Sequence, residues 1–504
     1  MLTHHFQAST GQVPRWLLPI LALTLILYRC WTLSHLGLDA YVDEAYYWGW
    51  SQALDWGYYS KPPMIAGLIA ASGWLFGDHL IALKAPSLIL YPATALVIEQ
   101  LGRRMFGDRI GFWSGLAFLT LPLVSILGLF VSTDAPLLFF WALGMALIWL
   151  VLDRGLQRPA TGLWVAIGVT LGLGLMSKYT MAAFAGSALL ALLAHPGGAR
   201  QLRRPGPWLA LALALVLFAP NLWWNWRLGF PTFQHTAEIT RVAGEGGSRG
   251  WHLDQLLEFT AAQWLSFGPL LSFGLISALF TLRALWADPR HRFLLLFLLP
   301  LLALVSVQAL TGRANGNWAA PIFVSASLLT IAFLGSRGAH AKRWRLAIAG
   351  VALNLVGACV VYQWPDLLRA TGHEPAASTD LYKRARGWRE LADAVRPHLQ
   401  AHPDAVLVSN DRELMAQLIY GLRPARHARW QNQAHIEDQY GLTEPLTPAS
   451  GRICLVVLPA NFDPAPIAAR FASAEKLGDV DVTVYPTLHR RASVWLMREF
   501  AGYR

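Results

Sequence analysis

The sequence predicts a polytopic α-helical membrane protein carrying a small α/β domain at its C-terminal end. Three observations carry that expectation. Of 504 residues, 55% are hydrophobic and only 14% are charged, whereas soluble domains are about 25% charged. Long apolar runs recur between residues 16 and 362. Beyond them the apolar runs shrink to strand length and charge returns. That composition excludes an ordinary soluble multidomain enzyme, a disordered chain and a fibrous one.

Crossing the hydrocarbon takes about 20 apolar residues. With loose edges, the qualifying runs are 16–36, 80–101, 110–130, 135–152, 161–177, 179–194, 207–224, 264–285, 292–310, 317–335 and 345–362. A further segment, 63–76, is short and reads as re-entrant or interfacial. The expectation is therefore about 11 full spans within a bundle of about 11–13 transmembrane helices. The first run lacks a small-x-small cleavage site, so it reads as a retained span and not as a signal peptide.

The net charge is +11, from 41 basic and 30 acidic residues. Residues 363–504 hold 17 basic and 16 acidic residues, so almost all of the excess lies among the apolar runs. Basic loops between spans set topology and meet lipid headgroups, which argues against nucleic acid as a partner. The loops with Arg103, Arg104, Arg109, Arg154, Arg158, Arg200, Arg203, Arg204, Arg283, Arg290, Arg292, Arg337, Lys342, Arg343 and Arg345 alternate with loops poorer in Lys and Arg. The positive-inside rule then keeps the N-terminus inside. An odd span count places loops 37–79 and 225–262, and the tail 363–504, outside.

The tail reads as a helix near Leu391–Leu399 with strands near Ala405–Ser409, Ile453–Leu458, Val480–Tyr485 and Val494–Met497. Cys30, Cys359 and Cys454 are far apart and form no C-x-x-C, so neither a metal site nor a redox motif is expected. Loop 225–262 is long, with Gly244-Glu245-Gly246-Gly247-Ser248 at its centre.

The first outside loop concentrates acids and aromatics. Asp39, Asp43, Glu44 and Asp55 lie among Tyr41, Tyr46, Tyr47, Trp48, Trp50, Trp56, Tyr58 and Tyr59, and Ser60-Lys61-Pro62-Pro63 follows. An aromatic belt with solvated acids gives this pattern. So does an interfacial active site for an amphipathic substrate. Asp134, in Ser132-Thr133-Asp134-Ala135-Pro136, lies at the end of an apolar span, where an acid is costly unless it faces water, a partner or a bound group. Helix capping by Thr133 or Ser132 is the bland reading of that stretch. Lys178 sits between two spans with almost no loop, where snorkelling is its bland reading. Pro62-Pro63 fixes an extended backbone and so directs Lys61, whose cation suits a phosphate on a lipid carrier.

At these residues the chain resembles a known group. Asp43-Glu44 after the first span, Tyr58-Tyr59-Ser60-Lys61-Pro62-Pro63, and Thr133-Asp134-Ala135-Pro136 match the pattern of the lipid A aminoarabinose transferases, the lipopolysaccharide galacturonosyltransferases and the wider protein O-mannosyltransferase-like family. All are GT-C glycosyltransferases. Gly312-Arg313-Ala314-Asn315-Gly316-Asn317-Trp318-Ala319-Ala320-Pro321 is a further matching stretch, and the likeness covers about 1–362. It implies a GT-C membrane domain over 1–362, an appended periplasmic α/β domain over 363–504, and a sugar donor on a polyprenyl phosphate. It also implies inversion at the anomeric carbon and work at the periplasmic face of the bacterial inner membrane. By position, Asp43 corresponds to the family's acid-base residue, Lys61 to its carrier-phosphate lysine and Asp134 to its second functional aspartate. Tyr47 and Tyr58 fall on aromatic positions of its cavity. Ser60 departs from the aminoarabinose enzymes, which carry an acid before Lys-Pro-Pro, and turns the expectation from an amino sugar towards a neutral or acidic one.

The chemistry asks for the same kinds of group. Negative charge develops on the departing polyprenyl phosphate, and a fixed cation stabilises it best in a water-poor site. Lys61 is the first candidate, with Arg241, Arg249 and Arg313 behind it. A carboxylate must orient the attacking hydroxyl and take its proton. Asp43 is preferred to Glu44, because neighbours on a helix point about 100° apart; Asp55 and Asp39 are reserves. Tyr46, Tyr47, Tyr58, Tyr59, Ser60, Asp55, Lys178 and Asn317 complete the expected cavity. No cofactor is required, no cluster has metal-ligand spacing, and a divalent ion is left open. The expected acceptor is lipid A or lipopolysaccharide core, handled by a monomer in contact with membrane lipid. Two alternatives stand beside this: glycosylation of exported proteins, and non-enzymatic transport of a lipid-linked sugar.

Overall fold

In the computed structural model, which describes residues 12–156, 160–240, 250–336, 341–432 and 435–503, the chain forms two compact units. One runs to Trp31, adds Lys61–Ile65 and continues through Lys84–Tyr362. The other consists of Thr32–Ser60, Ala66–Leu83 and the chain from Gln363 onward.

The first unit is a helical, multi-pass membrane domain. Six helices among the described residues are long and apolar enough to span: Leu17–Leu36, Leu80–Phe106, Asp134–Arg154, Pro205–Arg227, Pro289–Thr311 and Ala341–Tyr362. A seventh span is made if the pair Leu253–Phe267 and Pro269–Leu279, bent by 109°, counts as one. Thr161–Ser177, Met181–Ala194 and Ile322–Leu334 are shorter apolar helices. Each apolar run of the sequence therefore appears as helix, but length alone does not make all of them spans.

The breaks have local causes. Run 110–130 divides into Asp108–Thr120 and Pro122–Leu127, because the residue before a proline is pushed out of the helical region; Leu121 sits at ψ 138°. Run 264–285 bends at Gly268, whose φ of 88° suits glycine. A Cβ at Gly268 would collide with the amide of Asn354, so that position also needs the missing side chain. Ile322–Leu334 is buried on every side, which explains a helix that is apolar all round.

Buried polar ties cross-link this unit. The side chain of Arg29, fully buried, donates from Nε to the Tyr362 hydroxyl at 2.9 Å and from Nη2 to the Val124 carbonyl at 2.9 Å. The Tyr362 hydroxyl donates on to the Ser125 carbonyl at 2.8 Å. Three segments distant in sequence are thus joined through one guanidinium, whose Nε and Nη2 donors are met in a dry interior.

The second unit is built on a five-stranded sheet of β1 (Val406–Ser409), β2 (His427–Arg429), β3 (Ile453–Pro459), β4 (Phe471–Tyr485) and β5 (Leu488–Phe500), in the order β2-β1-β3-β5-β4. β1 pairs in parallel with β2 and β3, while β5 is antiparallel to β3 and β4. β1 is buried throughout and β3 along its centre, as covered parallel strands require. β4 and β5 form a long ribbon bulged at Lys476/Gly478 and Thr483/Tyr485. Helix Trp388–Ala401 begins where Asp39 accepts from the Trp388 amide at 2.9 Å and the Arg389 amide at 3.3 Å. Asp39 is thereby a helix cap, and burial raises its carboxyl above the ordinary value. Helix Met64–Phe76 ends in exposed Trp74, Leu75 and Phe76.

Candidate active site

In the sheet-bearing unit, helix Val42–Gln52 opens with two adjacent acids that the backbone treats differently. Glu44 is fully buried, and its Oε2 accepts from the Tyr41 amide at 2.8 Å. It is the third helical residue reaching back to the helix entry. Asp43 points elsewhere, with its side chain 45% exposed. Nη1 of Arg412 donates to Asp43 Oδ1 at 3.2 Å, and the same guanidinium lies 5.2 Å from the centre of the Tyr46 ring. Arg412 is held by its position at the start of helix Arg412–Leu422, where Asp411 Oδ1 accepts from the Leu414 amide at 2.7 Å. Burial alone would lower the Arg412 guanidinium, but the Asp43 charge beside it leaves it raised.

The tyrosines of the first loop anchor that loop within the same unit. The Tyr46 hydroxyl accepts from the Gln439 amide, and its ring tilts against Trp50 at 4.8 Å. Tyr47 packs on Trp50 at 4.8 Å between ring centres. Tyr58 stacks flat on Trp50 at 4.6 Å, and its hydroxyl accepts from the Asp55 amide at 3.1 Å and donates to the Trp50 carbonyl at 3.0 Å. Burial pushes that hydroxyl up to about 12. Tyr59 donates from its amide to Gln439 Oε1 at 2.7 Å and from its hydroxyl to the Ile436 carbonyl at 2.8 Å. Asp55 is exposed and accepts from the Trp56 amide at 2.7 Å. Ser60 is half-buried.

The membrane unit holds a second polar constellation. Asp134, only 2% exposed, begins helix Asp134–Arg154. Lys178 Nζ donates to its Oδ1 at 2.7 Å, and Asn317 Nδ2 donates to its Oδ2 at 2.7 Å. Lys178 comes from the junction after Thr161–Ser177, and Asn317 from the short turn Gly316–Ala319. Both carboxylate oxygens are therefore engaged, and three segments meet on one acid. Neighbouring Tyr179 shares its hydroxyl with Asn221 Oδ1 at 2.8 Å and Asn225 Nδ2 at 3.1 Å. Thr133 makes no side-chain cap to this helix.

Lys61 is half-buried in the membrane unit's segment Lys61–Ile65, beside buried Pro62. Arg313 is exposed and lines a separate cavity of about 260 Å³ with Gln255 and Glu258. Arg241 and Arg249, and the glycine-rich centre of their loop, lie outside the described residues. No group of three or more His, Cys, Asp or Glu side chains is arranged to hold a metal ion among the described residues.

Arg412 is the residue that sequence reasoning missed. Asp411-Arg412-Glu413 ahead of the apolar-periodic Leu414, Leu418 and Leu422 is a helix-start signal that would have located its helix. Nothing local could pair it with a carboxylate 369 positions away.

Comparison with known proteins places the chain in a family. The model of the dolichyl-phosphate-mannose-protein mannosyltransferase family matches residues 60–224. The chain is 32% identical to the lipid A galacturonosyltransferase RgtD of Rhizobium johnstonii, over 85% of this chain and 88% of that one. It is 29% identical to an undecaprenyl phosphate-alpha-4-amino-4-deoxy-L-arabinose arabinosyl transferase of Pseudomonas fluorescens, over 58% of this chain and 52% of the relative. The fold matches the crystal structure of ArnT from Cupriavidus metallidurans bound to undecaprenyl phosphate, with a TM-score of 0.66, 16% identity, and coverage of 95% and 97% of the two chains. With similarity to RgtD running along most of both chains, the protein belongs to the GT-C glycosyltransferase family of the lipid A galacturonosyltransferases and the undecaprenyl phosphate-aminoarabinose transferases.

Proposed function

We propose that this enzyme transfers a hexuronate such as galacturonic acid from a polyprenyl-phosphate donor to a hydroxyl of lipid A or lipopolysaccharide core, as a monomer at the periplasmic face of the inner membrane. Kinship with RgtD along most of both chains carries the reading. Ser60 before Lys61-Pro62-Pro63 supports it, because no acid stands there to meet a cationic amino sugar.

The acceptor oxygen attacks the anomeric carbon from the face opposite the leaving group. The bond from that carbon to the phosphate oxygen breaks, its electron pair leaves with the polyprenyl phosphate, and the configuration inverts. Asp43 receives the acceptor's proton. Arg412 orients that carboxylate until substrate enters. Lys61 binds the carrier phosphate, and Lys178, held by Asp134, is a second cation for the charge that develops on it. Lysine suits this task as a compact point charge. Glu44 and Asp39 serve the helix starts, and Tyr46, Tyr58 and Tyr59 hold the loop that presents Asp43.

The test is mass spectrometry of lipid A, core and exported proteins from cells with and without the gene, together with turnover by purified Asp43→Asn protein. The expected result is one hexuronate missing from lipid A or core in the deletion strain. Asp43→Asn should lower turnover by about 10²–10⁴-fold, the usual cost of losing a general base. A sugar missing from exported proteins instead would move the acceptor to protein, and near-normal Asp43→Asn turnover would remove Asp43 from the mechanism.

A further inference from the structure

Within the sheet-bearing unit, a cavity of about 660 Å³ opens at the C-terminal end of helix Val42–Gln52. Its lining does not include Asp43. The volume falls within the range of small-molecule sites, about 300–1,000 Å³.

Its walls combine flat rings with planar charged groups. Trp48 donates from Nε1 to Asp78 Oδ1 at 3.0 Å, and Arg423 Nη2 reaches Asp78 Oδ2 at 3.0 Å. The Arg423 guanidinium lies 3.4 Å from the centre of the Trp48 ring. Trp50 and Tyr440 line the same space, and neither the Trp50 indole N–H nor the Tyr440 hydroxyl has a hydrogen-bond partner among the described residues. Both residues are nine-tenths or more buried, so two orphan polar groups border one cavity, a rare arrangement in a folded protein. The adjoining helix carries Gly49, where a Cβ would stand 3.3 Å from the Tyr440 hydroxyl.

We propose that this cavity binds uncharged sugar rings of the acceptor glycan; the inference rests on the transferase reading above. Aromatic faces match the apolar face of a pyranose, and an adjoining guanidinium and carboxylate offer a donor and an acceptor to neighbouring hydroxyls. The charge balance selects among the components of the reaction. Asp55, Asp78 and Glu444 face one guanidinium, Arg423, and one imidazole, His427. That excess of carboxylate repels a hexuronate and a carrier phosphate alike. An N-acylated hexosamine, the neutral ring of a lipid A backbone, meets no such repulsion.

Steady-state kinetics of the full chain in detergent test this, using Gln52→Trp, which places bulk from an exposed helix end into the cavity, and Arg423→Gln, with size-exclusion profiles confirming the folded protein. Both variants should raise KM for the lipid acceptor at least tenfold and leave kcat and donor KM within twofold. N,N′-diacetylchitobiose should compete with the acceptor in the wild-type protein and bind at least tenfold more weakly to Gln52→Trp. Unchanged acceptor KM in both variants, or a rise in donor KM in its place, overturns the proposal. Calorimetric titration with N,N′-diacetylchitobiose, galacturonate and inorganic phosphate reads the cavity without turnover. A wild-type protein that binds the disaccharide but transfers nothing to lipid A would contradict the transferase reading and leave the cavity's ligand standing. Preference for galacturonate or phosphate would overturn the cavity's assignment alone.

Discussion

Asp134 illustrates what a single carboxylate does inside a membrane protein. A buried acid is stabilised when both oxygens are met, and here Lys178 takes one and Asn317 the other, each at 2.7 Å. Removing one partner leaves the other uncompensated, so the effects of Asp134→Asn and Lys178→Gln should overlap and not add. We expect each single change to lower turnover at least tenfold and the double-mutant cycle to return a coupling of about 1–3 kcal/mol in thermal or denaturant stability. Additive losses would mean that the pair does not act as a unit. At Asp43 the environment is opposite: a half-exposed acid with one guanidinium at 3.2 Å is open to an incoming hydroxyl. Such an exposed pair contributes little to stability, so Arg412→Ala should unfold at the wild-type temperature while reducing turnover, as calorimetry and kinetics on the same preparation would show.

At the scale of elements, helix Val42–Gln52 separates its two acids by face, one closing the helix start and the other left accessible. Glu44→Ala should therefore act through structure. It should cost about 1 kcal/mol, the usual size of an N-terminal capping contact, and hydrogen exchange should speed up at the amides of residues 41–45. Unchanged exchange there, with lost turnover, would make Glu44 a chemical participant. Local sequence explains other elements equally well. Pro122 and Gly268-Pro269 break apolar runs that composition alone reads as single spans. The β4–β5 ribbon runs far beyond the expected short strands because Gly478 and the charged residues around it obscure the two-residue alternation. Helix Arg412–Leu422 opens on a start signal in Asp411-Arg412-Glu413, whereas strand β2 spans only three residues, too few to show a period.

At the scale of the molecule, the basic loops, with the bent pair Leu253–Phe267 and Pro269–Leu279 counted as a seventh crossing, lead us to propose residues from Gln363 onward on the periplasmic side. A C-terminal alkaline phosphatase fusion should be active, and a C-terminal green fluorescent protein fusion dark; the reverse pattern would show that the number of crossings is even. The sequence by itself determined the membrane character, the helical runs, the mixed α/β tail and the cluster of acids and tyrosines with Lys61 in the first loop, because apolar length, strand periodicity and unusual polar residues are local properties of the chain. It favoured Asp43 over Glu44, but it could not show that Glu44 closes the helix start while Asp43 stays accessible. It could not show that Lys178 and Asn317 converge on Asp134, that Arg412 meets Asp43, or that segments 32–60 and 66–83 compact with the tail. Those outcomes depend on which buried charge finds a partner hundreds of residues away, and only the tertiary structure brings such groups within hydrogen-bond distance.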